Sequence, residues 1–417
     1  MSCALKRKKL CSLLVLLDFE DVEEEIDYLV HHYCIRKSVS EVFFCREEEG
    51  VFRILIEKHL LDDEVKFKAY FRFTREQFYF LVNLIQDDLC TKPCNRVKRP
   101  ISPAEKLALT LRFLATGESF HSLAFSYRIA PSSISTFVPQ VLQALKRKLL
   151  PRFLPKPNKI DWETKAEEFW DRWDFPNVVA ALDGKHVRIV APNQTGTLFY
   201  NYKGYFSIVL LAMVDATYKF LVVDVGSYGK EGDAGIFNKS EMGQLVKMGS
   251  IFPPPRILPQ SNILLPHVIL GDEAFRLDEH IMKPYCRRQI LEDEEKRHFN
   301  YQLSKARRVS ENAFGIMCST FRIFFTPINV KPETVDLIVT VCCCLHNLLR
   351  DDYIAKHPCD GETQDTTDEL PADNMIPLAG TGGFAKSEGF KVRSRFTEYF
   401  NGKYFKTKAS SKRNKRK

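Results

Sequence analysis

Three acidic residues stand in contexts that suit metal-dependent chemistry on phosphate esters. Asp183 and Asp272 each end an apolar run that is typical of a strand, and Glu311 lies inside a stretch with helical spacing. Carboxylates at neighbouring strand ends, faced by one from a helix, can converge on two divalent ions about 3.5–4 Å apart, which activate a water and stabilise the leaving oxygen of a phosphodiester. Mg²⁺ suits this site because it takes oxygen ligands and keeps bound waters, and Mn²⁺ is the alternative. A single carboxylate in such a context is more often a helix cap or a turn former.

The elements that must position these acids form an alternating pattern. Apolar runs bounded by turn signals predict strands at 178–189, 206–214, 219–225 and 267–270, and spacing predicts helices at 235–248, 304–321 and 334–350. Strands followed by interleaved helices indicate a mixed α/β core with helices on its faces.

A helical segment precedes this core. Ser102, Pro103 and Glu105 predict a helix start, and Gly117 stands where a C-terminal cap is expected. A short helix, a turn and a helix over 131–149 with Ser132 and Ser133 in its first turn follow, and this order resembles a helix-turn-helix. Ser132 and Ser133 are therefore candidate DNA contacts, although small three-helix units are also common without a role in DNA binding.

Composition divides the chain further. The 417 residues are 45% hydrophobic with a formal net charge of +8, and this excess equals the eight Lys and Arg between residues 401 and 417. Such a tail predicts a nuclear localisation signal or a phosphate-binding arm, against the alternative of a solvated end. The predicted divisions are an N-terminal segment of unknown role (1–62), a helical domain (63–150), a linker (151–177), an α/β domain (178–353), an acidic and Gly-rich linker (354–386) and the basic tail (387–417).

Cysteine usage and hydropathy limit the cellular setting. The twelve cysteines are scattered, and Cys90 and Cys94 have no second Cys/His pair at zinc-ligand spacing, which favours a reducing compartment. We find no secretory leader and no apolar stretch of membrane-spanning length, and so expect no contact with a membrane.

The residues from about 71 to 400 resemble the transposases of the PIF/Harbinger type and the nuclease-like proteins derived from them. The resemblance rests on motifs in a fixed order over most of the chain: SPAEKLALTLRFLATGESFHSLA, FPNVVAALDGKHVRI, FYNYKGYFSIVLLAMVDATYKF, GDAGIFNKS, ILGDEAFRL, FNYQLSKARRVSENAFGIMCSTFRIF and CCCLHNLL. It implies an RNase H-like mixed-sheet core in the α/β domain, of the DDE nuclease type, and Mg²⁺-dependent cleavage and joining of DNA.

The resemblance also assigns residues. It matches the family's catalytic acids to Asp183, Asp272 and Glu311, and a further metal ligand to Asp233, although Asp215 and Asp224 lie close in sequence. The proline-rich stretch 249–262 looks like an insertion relative to the family.

Basic and aromatic residues near the acids are candidate DNA contacts. Arg307 and Arg308 suit a clamp on the DNA backbone, and only one of them need face the site because adjacent helix positions point about 100° apart. Lys203 follows Asn201 and Tyr202 in a polar-aromatic run. His186 could contact a phosphate or position a water, but a lone strand histidine is more often structural.

Three functional hypotheses remain open. The leading one is a metal-dependent endonuclease or transposase-like enzyme of the nucleus, with the cytoplasm as a second location, that acts on DNA through two metal ions. The first alternative is a catalytically silent, domesticated transposase that binds DNA or chromatin, and the second is an unrelated hydrolase of small phosphate esters. The resemblance further suggests a separate Myb-like DNA-binding partner, and an oligomer is compatible with it.

Overall fold

The structure of the chain is a computed structural model that describes residues 41–43, 45–90, 100–229, 233–357, 375–377, 386–402 and 405. Most of segment 1–62 and nearly all of the basic tail beyond Gly402 lie outside these residues. The functions predicted for those two segments are therefore not addressed by the structure.

The first elements of the described chain are helices that precede the sheet. Their bounds are α1 Arg46–Glu49, α2 Glu64–Phe71, α3 Arg75–Leu89, α4 Pro103–Thr116, α5 Phe120–Tyr127, α6 Pro131–Phe153 and α7 Lys159–Trp173, with a π-helix at Phe52–Glu57 and 3₁₀ turns at Glu41–Phe43 and Leu60–Asp62.

Strands and helices then alternate as the sequence predicts. Their bounds are β1 Val178–Arg188, β2 Ser207–Val214, β3 Phe220–Tyr228, α8 Asp233–Lys239, α9 Glu241–Met248, β4 Arg256–Ile257, β5 Leu264–Leu265, β6 Val268–Leu270, β7 Ile281–Met282, α10 Arg287–Ile290, α11 Glu294–Thr320, a 3₁₀ turn at Arg322–Phe325, α12 Pro332–Lys356, β8 Met375–Pro377 and α13 Ser387–Asn401.

The central sheet is mixed. The described strands run in the order β3-β2-β1-β6-β7, and β8 pairs with the far end of β1. β1, β2 and β3 are antiparallel neighbours, whereas β6 is parallel to β1 and β7 is parallel to β6. This mixed α/β core agrees with the predicted RNase H-like fold class.

The helix-turn-helix pattern corresponds to α4, α5 and α6. The Ser102 side chain accepts a hydrogen bond from the Glu105 N–H at 3.1 Å, and Gly117 ends α4 in the left-handed region with φ 73°. Ser119 caps α5 in the same way, and Arg128 ends it with φ 55°. Local capping chemistry therefore sets these boundaries, as the sequence predicts.

Three predicted divisions differ from the structure. The proposed linker 151–177 contains the last turn of α6 and all of α7, because Trp162, Ala166 and Phe169 form a buried stripe at helical spacing. The proposed linker 354–386 contains β8, which pairs with β1. The proposed tail 387–417 begins with α13, whose Phe396 and Phe400 are fully buried. The linker was predicted from the prolines between residues 151 and 157, and the tail from the basic residues near the C-terminus.

One helix meets the length and composition of a membrane span, contrary to the sequence-based expectation. It is α12, and 72% of its apolar window is buried inside the protein. Its Cys342, Cys343 and Cys344 have no exposed surface and belong to the main apolar core. α12 is apolar because it packs against the sheet in the interior of the protein.

Candidate functional site

Asp183 and Asp272 follow paired positions on two neighbouring parallel strands. Ala181 of β1 lies opposite Leu270 of β6, and each acid comes two residues later. Side chains two residues apart project from the same face of a strand, and adjacent strands lie about 4.8 Å apart. The register therefore brings both carboxylates to the same face of the sheet, with Asp183 in the middle of β1 and Asp272 just beyond the end of β6.

Glu311 reaches this face from α11. Lys185, on the same side of β1 as Asp183, places its Nζ 5.5 Å from the centroid of the Phe314 ring of α11. Glu311 precedes Phe314 by three residues and follows Arg307 by four, so all three share one side of the helix. Arg307 forms a short ion pair with Glu311. The helix thus presents a carboxylate and a guanidinium toward the two strand acids.

The environment of the acids is graded from buried to exposed. Asp183 is 4% exposed, Asp272 is half-buried, and the Glu311 side chain is 48% exposed. Asp183 Oδ1 accepts a hydrogen bond from the Gly184 N–H at 3.0 Å, and Asp272 Oδ1 accepts one from the Ala274 N–H at 2.9 Å. One side of the group is therefore fixed by backbone contacts, while Glu311 faces solvent.

Burial and mutual repulsion act on the strand acids. Burial raises the pKa of the Asp183 carboxyl, with Lys185 and Arg307 opposing this shift and Glu311 adding to it. Burial, followed by the charge of Asp183, raises the pKa of the Asp272 carboxyl. Such paired, desolvated carboxylates are typical of functional sites.

The carboxylate oxygens of the site provide some of the ligands that a hard divalent cation requires. Asp183 Oδ2 is buried and makes no hydrogen bond, although Lys185 Nζ lies 3.3 Å away. Among the described residues, no three His, Cys, Asp or Glu side chains come close enough together to enclose an ion by themselves. Mg²⁺ is commonly held by one or two carboxylates together with waters and substrate phosphates, so Asp183 and Asp272 are sufficient to begin such a site.

Lys185 was missed by the sequence-based reasoning. The signal was present, because a residue two positions after a strand acid must share its face. Its side chain is 10% exposed, and its ammonium contacts the orphaned oxygen of the first acid. Lys185 therefore places a basic side chain at the centre of the candidate site.

His186 lies on the opposite face of β1 from the acids. Its Nδ1 is 3.0 Å from Ser207 Oγ, and its ring packs edge-on against Tyr205 at 6.2 Å. Burial, followed by the charge of Lys203, lowers its pKa to about 4. Its surroundings match the structural alternative, and the structure does not bring it to the acids.

The remaining predicted contacts are dispersed. Arg307 faces the acids, whereas Arg308 is exposed on a neighbouring side of α11. Lys203 is exposed with its Nζ 5.5 Å from the Tyr202 ring centroid, on the side of the sheet occupied by His186. Ser132 and Ser133 are exposed at the start of α6.

The fourth metal ligand stays a prediction. Asp233 begins α8, but its side chain lies outside the described residues. Its two sequence neighbours do not replace it. Asp215 is held in a turn by Thr217 and the Lys219 N–H and forms an ion pair with Lys165 at 2.9 Å. Asp224 lies opposite Leu211 on the other face of the sheet.

Comparison with known proteins relates the chain to nuclease-like proteins. Residues 182–347 match the family described as DDE superfamily endonuclease. The chain is 26% identical over 299 residues to the human protein named "Putative nuclease HARBI1", covering 70% of this chain and 80% of that protein. It is 24% identical over 300 residues to "Protein ALP1-like" of Arabidopsis thaliana, covering 69% of this chain and 71% of that protein. No solved structure gives a significant match.

Proposed function

We infer that this chain is a transposase-derived nuclease of the DDE superfamily and that it acts as a metal-dependent endonuclease that hydrolyses phosphodiester bonds of DNA. The observation that carries the proposal is the register of β1 and β6, which sets Asp183 beside Asp272 on the face covered by the Glu311 helix. The similarity to the human protein named "Putative nuclease HARBI1" supports the same proposal.

The acidic and basic residues of the candidate site have different roles. Asp183 and Asp272 would hold divalent cations, with Glu311 as a further ligand once it leaves Arg307. The cations, when bound, supply nucleophile activation and stabilisation of the leaving oxygen. Arg307 and Lys185 add positive charge beside the acids, which favours a phosphate at this position. The proposal includes the use of two metal ions and the joining of DNA ends.

The test is cleavage of a duplex in Mg²⁺ or Mn²⁺ by the unmodified protein and by Asp183→Asn, Asp272→Asn and Glu311→Gln. Each change keeps side-chain size and removes the charge that holds a cation, so cleavage is expected to fall by a factor on the order of a thousand or more. Asp224→Asn is the matched control. It is a half-buried carboxylate of the same sheet whose pKa is also raised by burial, but it lies on the opposite face, and we expect cleavage to be retained.

Three outcomes would contradict the proposed DNA endonuclease. Full cleavage by Asp272→Asn would remove the role of the strand acids. Binding of DNA by the unmodified protein without cleavage in any divalent cation would favour the catalytically silent DNA-binding protein. Cleavage of small phosphate esters but not of DNA would favour the unrelated hydrolase.

The cellular setting is part of the proposal. A basic C-terminal tail, with eight Lys and Arg from residue 401 onward, is compatible with work in the nucleus. A separate Myb-like protein would supply sequence-specific DNA binding.

A further inference from the structure

Three arginines from separate segments converge beside the helix-turn-helix unit. The rings of Phe73 and Phe321, 6.2 Å apart, hold together the backbone that carries Arg72 and Arg322. Arg112 of α4 joins them, because its Nη1 donates to the Tyr70 carbonyl at 3.2 Å and its guanidinium lies 4.1 Å above the Tyr70 ring. We call Arg72, Arg112 and Arg322 the arginine cluster.

The arginine cluster has more positive charge than its surroundings neutralise. Glu118 lies 3.4 Å from Arg112, but among the described residues no carboxylate lies within 4 Å of Arg72 or Arg322. The Nε of Arg72 is buried and has no hydrogen-bond partner there. Burial, followed by the charges of Arg322 and Arg112, lowers the pKa of Arg72. Like charges held this close destabilise the free protein and leave donors open for an anion.

A cleft of about 700 Å³ opens beside Arg72. Residues with donors line it: Lys68, Arg72, Thr74, Ser319, Thr320 and Arg350. Its acids are already paired, since Glu64 binds Arg75 and Asp352 lies 2.9 Å from Lys356 Nζ. The cleft therefore has an excess of positive charge, set among apolar side chains such as Val65, Ile316 and Leu349, and this charge favours a phosphate group.

The position of the arginine cluster indicates that the phosphate would come from the backbone of duplex DNA. Gly117, which ends α4 and leads into α5, packs so closely on the 3₁₀ turn after Phe321 that an added Cβ would lie 3.3 Å from the Arg322 carbonyl oxygen. Ser319 lies two turns beyond Glu311 on α11, which is roughly 12 Å. The cluster thus lies where the helix-turn-helix unit, which contributes Arg112, meets the segment that follows α11, the helix of Glu311. The roughly 12 Å along α11 is within the length of one turn of duplex DNA.

We propose that Arg72, Arg112 and Arg322 form a phosphate-binding surface that holds the backbone of duplex DNA between the helix-turn-helix unit and the acids. Planar guanidinium groups bind phosphate oxygens in pairs, and backbone contacts of this kind fix register without reading sequence. The proposal rests on DNA being the substrate, as proposed above, but not on cleavage.

The experiment measures binding of a fluorescently labelled 30-base-pair duplex by anisotropy, without divalent cations, at several salt concentrations. Arg72→Gln and Arg322→Gln should each weaken binding by a factor of about three to ten and lower the salt slope by about one. Arg75→Gln is the matched control, because Arg75 is a nearby arginine already bound to Glu64 and to the Leu61 carbonyl. Its affinity and slope should equal those of the unmodified protein.

Urea unfolding separates this role from a structural one. Arg72→Gln should leave the free protein at least as stable, because repulsion from the charges of Arg322 and Arg112 is relieved, whereas loss of a structural arginine would lower the stability. Arg322 is exposed, so Arg322→Gln keeps the test decisive if Arg72→Gln does not fold.

An unchanged salt slope in both variants, with intact binding by the unmodified protein, would overturn the arginine surface and leave the nuclease proposal standing. Binding of poly-glutamate but not of DNA by the unmodified protein would point to an acidic protein partner and overturn both.

Discussion

Replacing Lys185 by Met should make the candidate site bind divalent cations more tightly. The Lys185 ammonium lies 3.3 Å from the buried Oδ2 of Asp183, the oxygen that a cation would need. The lysine and the cation therefore compete for one ligand atom. Methionine retains the apolar packing against Phe314 and removes only the charge.

The size of the effect follows from that distance. At 3.3 Å and an effective dielectric constant near 20, the attraction between the two charges is about 5 kcal/mol. Most of it is offset, because burying each charge costs several kcal/mol and the displaced ammonium finds other partners. We expect the Kd for Mn²⁺ to fall roughly ten- to a hundredfold, or about 1.4–2.8 kcal/mol. The metal-free protein should lose stability, because Asp183 loses its counter-charge.

Titration calorimetry with Mn²⁺ in the absence of DNA measures the affinity, and urea unfolding in a chelator measures the stability. Lys203→Met is the control, since Lys203 is exposed on the side of the sheet away from the acids. An affinity of Lys185→Met equal to or weaker than that of the unmodified protein would refute the competition. If the unmodified protein binds no divalent cation, the metal site itself is refuted.

Three further outcomes are expected. Asp183→Asn should raise the metal-free unfolding free energy at pH 7, because burial raises the pKa of Asp183 and so makes its ionised form costly; the gain should vanish as pH falls below the unfolded pKa of about 3.9, where both states are protonated. Burial lowers the pKa of His346 to about 4, so the folded protein binds fewer protons than the unfolded chain between pH of about 6.5 and 4. The free energy of unfolding should therefore fall by roughly 3 kcal/mol as the pH is lowered through this window. His346→Gln should make the urea midpoint less dependent on pH there, and an equally steep dependence in the variant would exclude His346 as the cause. Deleting Ala409–Lys417 should reduce nuclear accumulation of a fluorescent fusion without changing Mn²⁺ affinity, and unchanged accumulation would place the signal elsewhere.

Local patterns in the sequence were sufficient for the elements of the core and for its strand acids. Strands predicted at 178–189, 206–214 and 219–225 correspond to β1, β2 and β3 within a residue or a few, because buried apolar runs bounded by turns have few other conformations. Ser102 and Gly117 marked both ends of α4 through capping chemistry that involves only neighbouring residues. The fold class is confirmed for the same reason.

What the sequence could not determine depends on contacts between distant segments. Two apolar stripes, in α7 and α13, were divided off as linker and tail, because only packing against β1 and α11 shows that they are buried. The strand period could have revealed Lys185 beside Asp183, but its contact with Phe314 required α11 to be in place. Sequence motifs grouped His186 with Asp183, whereas the pleat of β1 separates them onto opposite faces.

The arginine cluster is the clearest case of tertiary determination. Arg72, Arg112 and Arg322 are far apart in the chain, and no local pattern relates them. Their convergence follows from the packing of Phe73 on Phe321 and of Arg112 on Tyr70. Charge balance along the sequence conceals such a cluster, because opposite charges close in sequence need not be close in space. The physical reason is that electrostatic interactions depend on distance through the folded structure rather than along the chain.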